Sequence, residues 1–331
     1  MEVDMEFDME FDMESDMEFD MEDMEHSMEV DLDGVLEGTT LASYQAVLNM
    51  LKATLEYPAD NTDLKATKLA EDIQFMCRQA HANCDGDGGV LLYIWWIVIA
   101  ISQYIPPGHP WQECLIEAVG NLRQLEGPVP GMPAHLWRDL PYLLFRLQQL
   151  WIDPVEGDEW LADDIELDEA LISNDFVRWK NQNSFAARLT SASFHPGLIF
   201  PIGQLRTALE APTAKGPIQE CRLWVACEWI IHCAGVIYND MVTEQNPDSA
   251  FKTGSLCRPG MPHFGTERWE FWKKRFGEIS KDAKNLKLGN SMVERISAAV
   301  EIMNEAQKEH SIVLEYQNMS LWNTPALGHW D

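Results

Sequence analysis

Lysine and arginine are scarce in this chain. There are 24 of them against 54 acidic residues, a formal charge of -30. Binding nucleic acid through its phosphates needs a basic face. The densest basic cluster, Lys273, Lys274 and Arg275, sits between Trp272 and Phe276 and reads as a solvated helix face. Nucleic acid is therefore not an expected partner. Long apolar runs are also missing. The longest, Val90–Ile101, reads VLLYIWWIVIAI and stops at Ser102. A membrane-spanning helix needs about 20 apolar residues, so this run is expected to be a buried helix, and no membrane partner is expected.

The seven cysteines are an odd set with no CxxC pair, and most lie in apolar helical stretches. That pattern argues against a disulfide framework or a zinc site and predicts reduced, buried thiols. There is no GxGxxG, no phosphate-binding loop and no Gly-x-Ser-x-Gly. No cofactor, metal site or catalytic residue is expected. The N-terminus is acidic where a secretory signal would be basic. A cytoplasmic location is expected, with the nucleus left open.

The charge that is present is unevenly placed. Residues 1–33 hold 16 acidic residues and no lysine or arginine. The rest holds 38 acids against 24 bases. Residues 1–33 form a degenerate Met-Glu-x-Asp repeat with eight of the 16 methionines. Like charges at every second position oppose strand pairing. Residues 1–35 are expected to be a disordered acidic tail, either without a specific function or docking on partners.

Helical periodicity begins near Thr39. Helices are predicted from Thr39 or Thr40 to Tyr57, from Asn61 to Asn83, and over Val90–Ile105 and Trp111–Leu125. Further helices are predicted from Asp139 to Trp151, Asp175–Ser193, Ile202–Leu209, Pro217–Met241, Thr266–Lys281 and Ser291–Glu309. Between Arg123 and Asp139, Gly127 to Met132 and Pro133 read as a rigid turn, and no strand pair is expected. The prediction is all-α: one irregular bundle of roughly ten helices over residues 36–312, with a C-terminal tail over 313–331.

Candidate site residues concentrate between Leu223 and Phe276. Glu228 and His232 are four apart and share a helix face. They suit an internal hydrogen bond, or half of an acid–base pair or metal site. Trp269, Trp272 and Phe276 form an aromatic stripe at helical spacing. With Trp224 and Trp229 they make either a packed core or a pocket wall, and Arg268 would lie beside them. Cys257, with Arg258 next to it and His263 six residues on, could be an activated thiol; an inert loop thiol is the plainer reading.

Several blocks occur together and in order. Ile105-Pro-Pro-Gly-His-Pro-Trp-Gln112 comes first. Trp179-x-Asn181 follows, running into Ser184-Phe-Ala-Ala-Arg188-Leu. Then come Trp224, Trp229-Ile230 and Glu267-Arg-Trp-x-Phe-Trp-Lys-x-Arg-Phe276. Over about Val90 to Ser280 the chain resembles a fungal family known as domain of unknown function 3632. The resemblance implies a soluble, mainly helical protein and brings no reaction or catalytic residues with it. The expected role is non-enzymatic binding, with an unknown protein or a small apolar ligand as partner. The alternative is an enzyme or carrier for a small apolar metabolite. A deep cavity holding Glu228, His232 and Arg268 would favour the alternative.

Overall fold

The computed structural model describes residues 30–37, 42–58, 61–83, 89–156, 170–190, 199–243 and 251–322, with side chains described up to residue 313 except those of 171 and 173. Residues 1–29 of the predicted tail, residues 84–88 and the last residues, 323–331, lie outside the described residues.

Among the described residues there are ten α-helices and one small hairpin. The first two helices are α1 (Ala42–Leu55) and α2 (Thr62–Ala82). Asn61 caps α2, its side chain accepting the Leu64 N–H at 2.9 Å, and Asn83 closes it. The all-round apolar run becomes α3 (Gly89–Ser102), whose residues from Ile97 to Ser102 are all buried. Helix α4 (Pro110–Arg123) starts with proline at its first position, and His109 accepts the Trp111 N–H.

The next stretch differs from the prediction. Pro128–Val129 and Met132–Leu136 pair antiparallel as β1 and β2 around Gly131, whose φ is 79°. The predicted rigid turn is thus the tip of a two-stranded hairpin. Helix α5 (Leu143–Gln149) begins later than predicted. Leu140 and Tyr142 both take positive φ, 42° and 69°, on either side of Pro141. That double reversal prevents a helix from starting at Asp139. It also turns the Pro141 carbonyl inward, where the buried Trp95 indole donates to it at 2.8 Å.

A π-helical turn, Leu171–Phe176, leads directly into α6 (Val177–Leu189), so no capping residue stands at Ser173 or Asn174. Helix α7 (Ile199–Leu205) likewise continues into a π-helical turn over Arg206–Glu210. The long α8 (Gly216–Thr243) matches the predicted span closely. Helix α9 (Thr266–Lys281) follows the loop over residues 251–265, with Gly265 rather than Thr266 in the capping position. Helix α10 (Asn290–Trp322) runs past the predicted end at Glu309.

Helix α8 is the axis of the second half and packs against α6, α9 and α10. It is also long and apolar enough to cross a membrane, but 72% of its apolar window is buried inside the fold. Helices α2 and α4 pack in the first half, and α6 touches α3, α4 and α8. Asn181, Gln182, Asn183 and Ser184 in α6 are all buried. Buried amides must be hydrogen-bonded, and these are. Asn181 donates to the Gln103 carbonyl, Gln182 to the Leu150 carbonyl, and Asn183 accepts from the Trp229 indole at 2.9 Å. A polar-looking segment is therefore a central strut. The turn Asp33–Leu36 also joins the packed body, with Leu32 and Val35 buried, although the sequence places it in the tail.

Candidate functional site

The candidate residues fall into two groups. The first is a clasp around Glu210, a residue the sequence reading passed over. Glu210 and Arg268 are both fully buried. Arg268 donates Nε to Glu210 Oε1 at 2.6 Å and Nη2 to Oε2 at 3.1 Å. Its remaining N–H groups go to the carbonyls of Phe251, Lys252 and His263. All five guanidinium donors are thus placed within the protein, and Arg268 has none to offer a ligand.

Trp272 donates its indole N–H to Glu210 Oε1 at 2.6 Å, and the Gly254 N–H donates to Oε2. Trp269 and Trp272 are buried without measurable exposure. The stripe with Phe276 is packed core, and the clasp fixes the loop over residues 251–265 against α9. Gly254 is required there: a Cβ would come within 2.5 Å of the Glu210 carbonyl oxygen.

Cys257 lies in this loop. Burial and the Glu210 carboxylate push its thiol up to about 12. Arg258 pairs with Glu267 instead of the thiol. Cys257 is expected to react with a neutral-pH thiol reagent more slowly than a free thiol, as timed by reagent absorbance. A rate at or above that of the free thiol would contradict this.

The second group lies where α6, α8 and α10 meet. Glu228 accepts from Arg295 of α10 and faces His232 Nε2 at 3.2 Å. The Arg295 guanidinium lies 4.3 Å over the half-buried Trp224 ring, with Lys180 Nζ at 5.8 Å. Burial alone would raise the Glu228 carboxyl, but His232, Arg295 and Ser184 outweigh it and hold it below the ordinary range. The pair is an internal seam of the kind expected from the i, i+4 spacing. A lowered carboxyl stabilises the fold above about pH 4.3 and loses that effect as pH falls through its folded value. Glu228→Gln should cost about 1–2 kcal/mol at neutral pH and flatten the acid limb, measured by urea denaturation across pH. Unchanged stability at neutral pH with an unchanged acid limb would refute this.

Trp229 is placed differently. It packs behind Trp151, with ring centroids 6.3 Å apart, while Trp179 meets Trp151 edge-on at 4.9 Å. Trp151 is the inner wall of a cavity of about 380 Å³ between the end of α5 and α7. Phe200, Gly203, Gln204, Thr207 and Asp153 complete most of its lining. Glu228, His232 and Arg268 do not line it.

The turn over residues 153–156 forms the floor. The Val155 N–H donates to Asp153 Oδ1 at 2.9 Å. The Val155 carbonyl accepts two bonds from Arg222 of α8, at 3.0 and 2.6 Å. Asp153 is therefore rigidly set. Burial pushes its carboxyl up to about 6 and Glu156 adds to this, while the Val155 N–H, Gln204 and Arg222 oppose it. A carboxyl that titrates near neutrality in a cleft is the chemistry expected of a functional group. In sequence, Asp153 merely begins an acidic, irregular stretch. The only signal beside it is Trp151, two residues before.

Among the described residues, no three His, Cys, Asp or Glu side chains group as metal ligands. No curated protein matches the chain, and no solved structure does. One family model matches residues 95–276, a span that includes the Trp151 cavity, the Glu210 clasp, and Glu228 and His232 of the seam but not Arg295. The chain belongs to the family described as "Protein of unknown function (DUF3632)".

Proposed function

We propose that this is a non-enzymatic binding protein that holds a small molecule in the cavity beside Trp151. One observation supports the reading most strongly: an aromatic wall, neutral hydrogen-bonding side chains and a half-buried carboxyl converge on one concave site. Its volume of about 380 Å³ is in the range of small-molecule pockets. The Glu228 seam and the Glu210 clasp are then scaffold, because their charges are met by other side chains.

A larger groove of about 570 Å³ lies between α1 and α2, lined by Met50, Ala53, Tyr57 and Leu64. Its charged groups are already engaged. Lys65 donates to the Leu55 carbonyl, and Lys68 pairs with Asp72. It also lies outside the residues that match the family.

Gly203 provides the test. It lines the cavity, and a Cβ there meets no atom within 4 Å. Gly203→Leu should fill the cavity while leaving α7 intact. Native mass spectrometry of the purified chain should show a small non-covalent adduct that this variant loses. An adduct that persists in Gly203→Leu would place the ligand elsewhere. A second reading, an enzyme for a small apolar metabolite, draws on Asp153 as a general acid or base. Turnover that disappears in Asp153→Asn while binding persists would favour it.

A further inference from the structure

We propose that the Trp151 cavity selects an organic cation, a small amine or quaternary ammonium with a compact apolar body. This rests on reading the cavity as a ligand site. The Trp151 and Phe200 rings lie 4.4 Å apart, tilted by 52°, and both line the cavity. Aromatic faces attract a cation, most strongly where water is excluded. Two carboxyls, Asp153 and Glu156, line the same space. Gln148, Gln204 and Thr207 add neutral hydrogen-bonding groups, which suit an ammonium N–H or a polar substituent.

The charges around the cavity are of both signs, with the two carboxyls facing its space. Arg222 lies behind the floor, with its Nε and Nη2 on the Val155 carbonyl. Arg206 also lines the cavity, and its Nη1 donates to the Lys252 carbonyl at 3.4 Å. The thiol of Cys221, close enough to feel Asp153, is pushed up to about 12 by burial and so is neutral. Beyond residue 33 the chain carries 38 acids against 24 bases, a field that draws cations toward any open cleft.

An empty site holds Asp153 largely protonated below about pH 6. A cation gains the Asp153 carboxylate as a partner only as that proton leaves. Affinity should therefore rise severalfold between about pH 5 and about pH 8, because Asp153, raised to about 6, ionises within that window.

The test is isothermal titration of the full chain with benzyltrimethylammonium, benzyl alcohol and benzoate, which share a ring and differ in charge. The cation should bind at least about tenfold tighter than the alcohol, with benzoate weakest. Asp153→Asn should reduce that preference and its pH dependence, and Gly203→Leu should abolish binding. If the alcohol or benzoate matches the cation in the wild type and Gly203→Leu abolishes all binding, the cavity stands as a site and the cation inference falls. If binding is equal in wild type and Gly203→Leu, or if none of the three binds, both fall.

Discussion

Arg268→Met should lower the stability of the fold by about 3–5 kcal/mol, read as a shift in the urea midpoint at unchanged slope. The methionine keeps most of the side-chain volume but leaves Glu210 buried and uncompensated. Removing one member of a buried pair costs more than the pair itself contributes, because the orphaned charge has no solvent to turn to. Here the loss extends further. Arg268 also supplies the donors for the carbonyls of Phe251, Lys252 and His263. The loop should therefore loosen, and its amides should exchange faster with solvent. The double variant Glu210→Leu with Arg268→Met should recover part of the loss, since no charge is then stranded. A loss below about 1 kcal/mol in the single variant would show that the clasp does not hold the loop.

The second large effect has the opposite sign. Asp153→Asn should stabilise the protein at neutral pH, on the order of 2 kcal/mol. A carboxyl whose folded value is raised to about 6 contributes stability below its unfolded value near 3.8. That contribution is lost as pH rises toward about 6, and ionised Asp153 is a net cost at pH 7. Asparagine cannot ionise, and its carbonyl can still accept the Val155 N–H. Wild type and variant should match near pH 4 and diverge above it. A variant that is less stable at pH 7 would mean that Asp153 serves the fold. A stabilised one marks a residue kept at the expense of stability, as functional residues often are.

Much of the scaffold was readable from residues alone. Asn61, Asn83 and the apolar periodicity located α2, and the long apolar segment of α8 was placed to within two residues at either end. What failed did so for local reasons. Tyr142 and Leu140 take a conformation that side chains disfavour, and only the surrounding packing, including the Trp95 bond to Pro141, shows why it holds. The π-helical turns at Leu171–Phe176 and Arg206–Glu210 leave no capping residue to find. In α6, the partners of the buried asparagines and glutamine come from distant segments that no local pattern reveals.

The candidate site was legible in the same uneven way. Glu228 and His232 were paired correctly because helix spacing fixes them. Arg268 and the Trp269–Trp272 stripe were found as a cluster, but Glu210, 58 residues away, decides their role. Trp229 proved to back the cavity wall, and Asp153 was missed because its unusual titration arises from burial. Burial is a property of the fold and leaves no mark on a single residue.

The central claim is that the cavity beside Trp151 holds a small molecule. The most direct measurement is a thermal-shift screen of small metabolites, amines and quaternary ammoniums included, run side by side on wild type and Gly203→Leu. A ligand at about 100 times its Kd adds about 2.7 kcal/mol to the folded state, a shift of several degrees. At least one compound should raise the midpoint of the wild type and leave that of Gly203→Leu unmoved. Equal shifts in both proteins, or none in either, would contradict the claim.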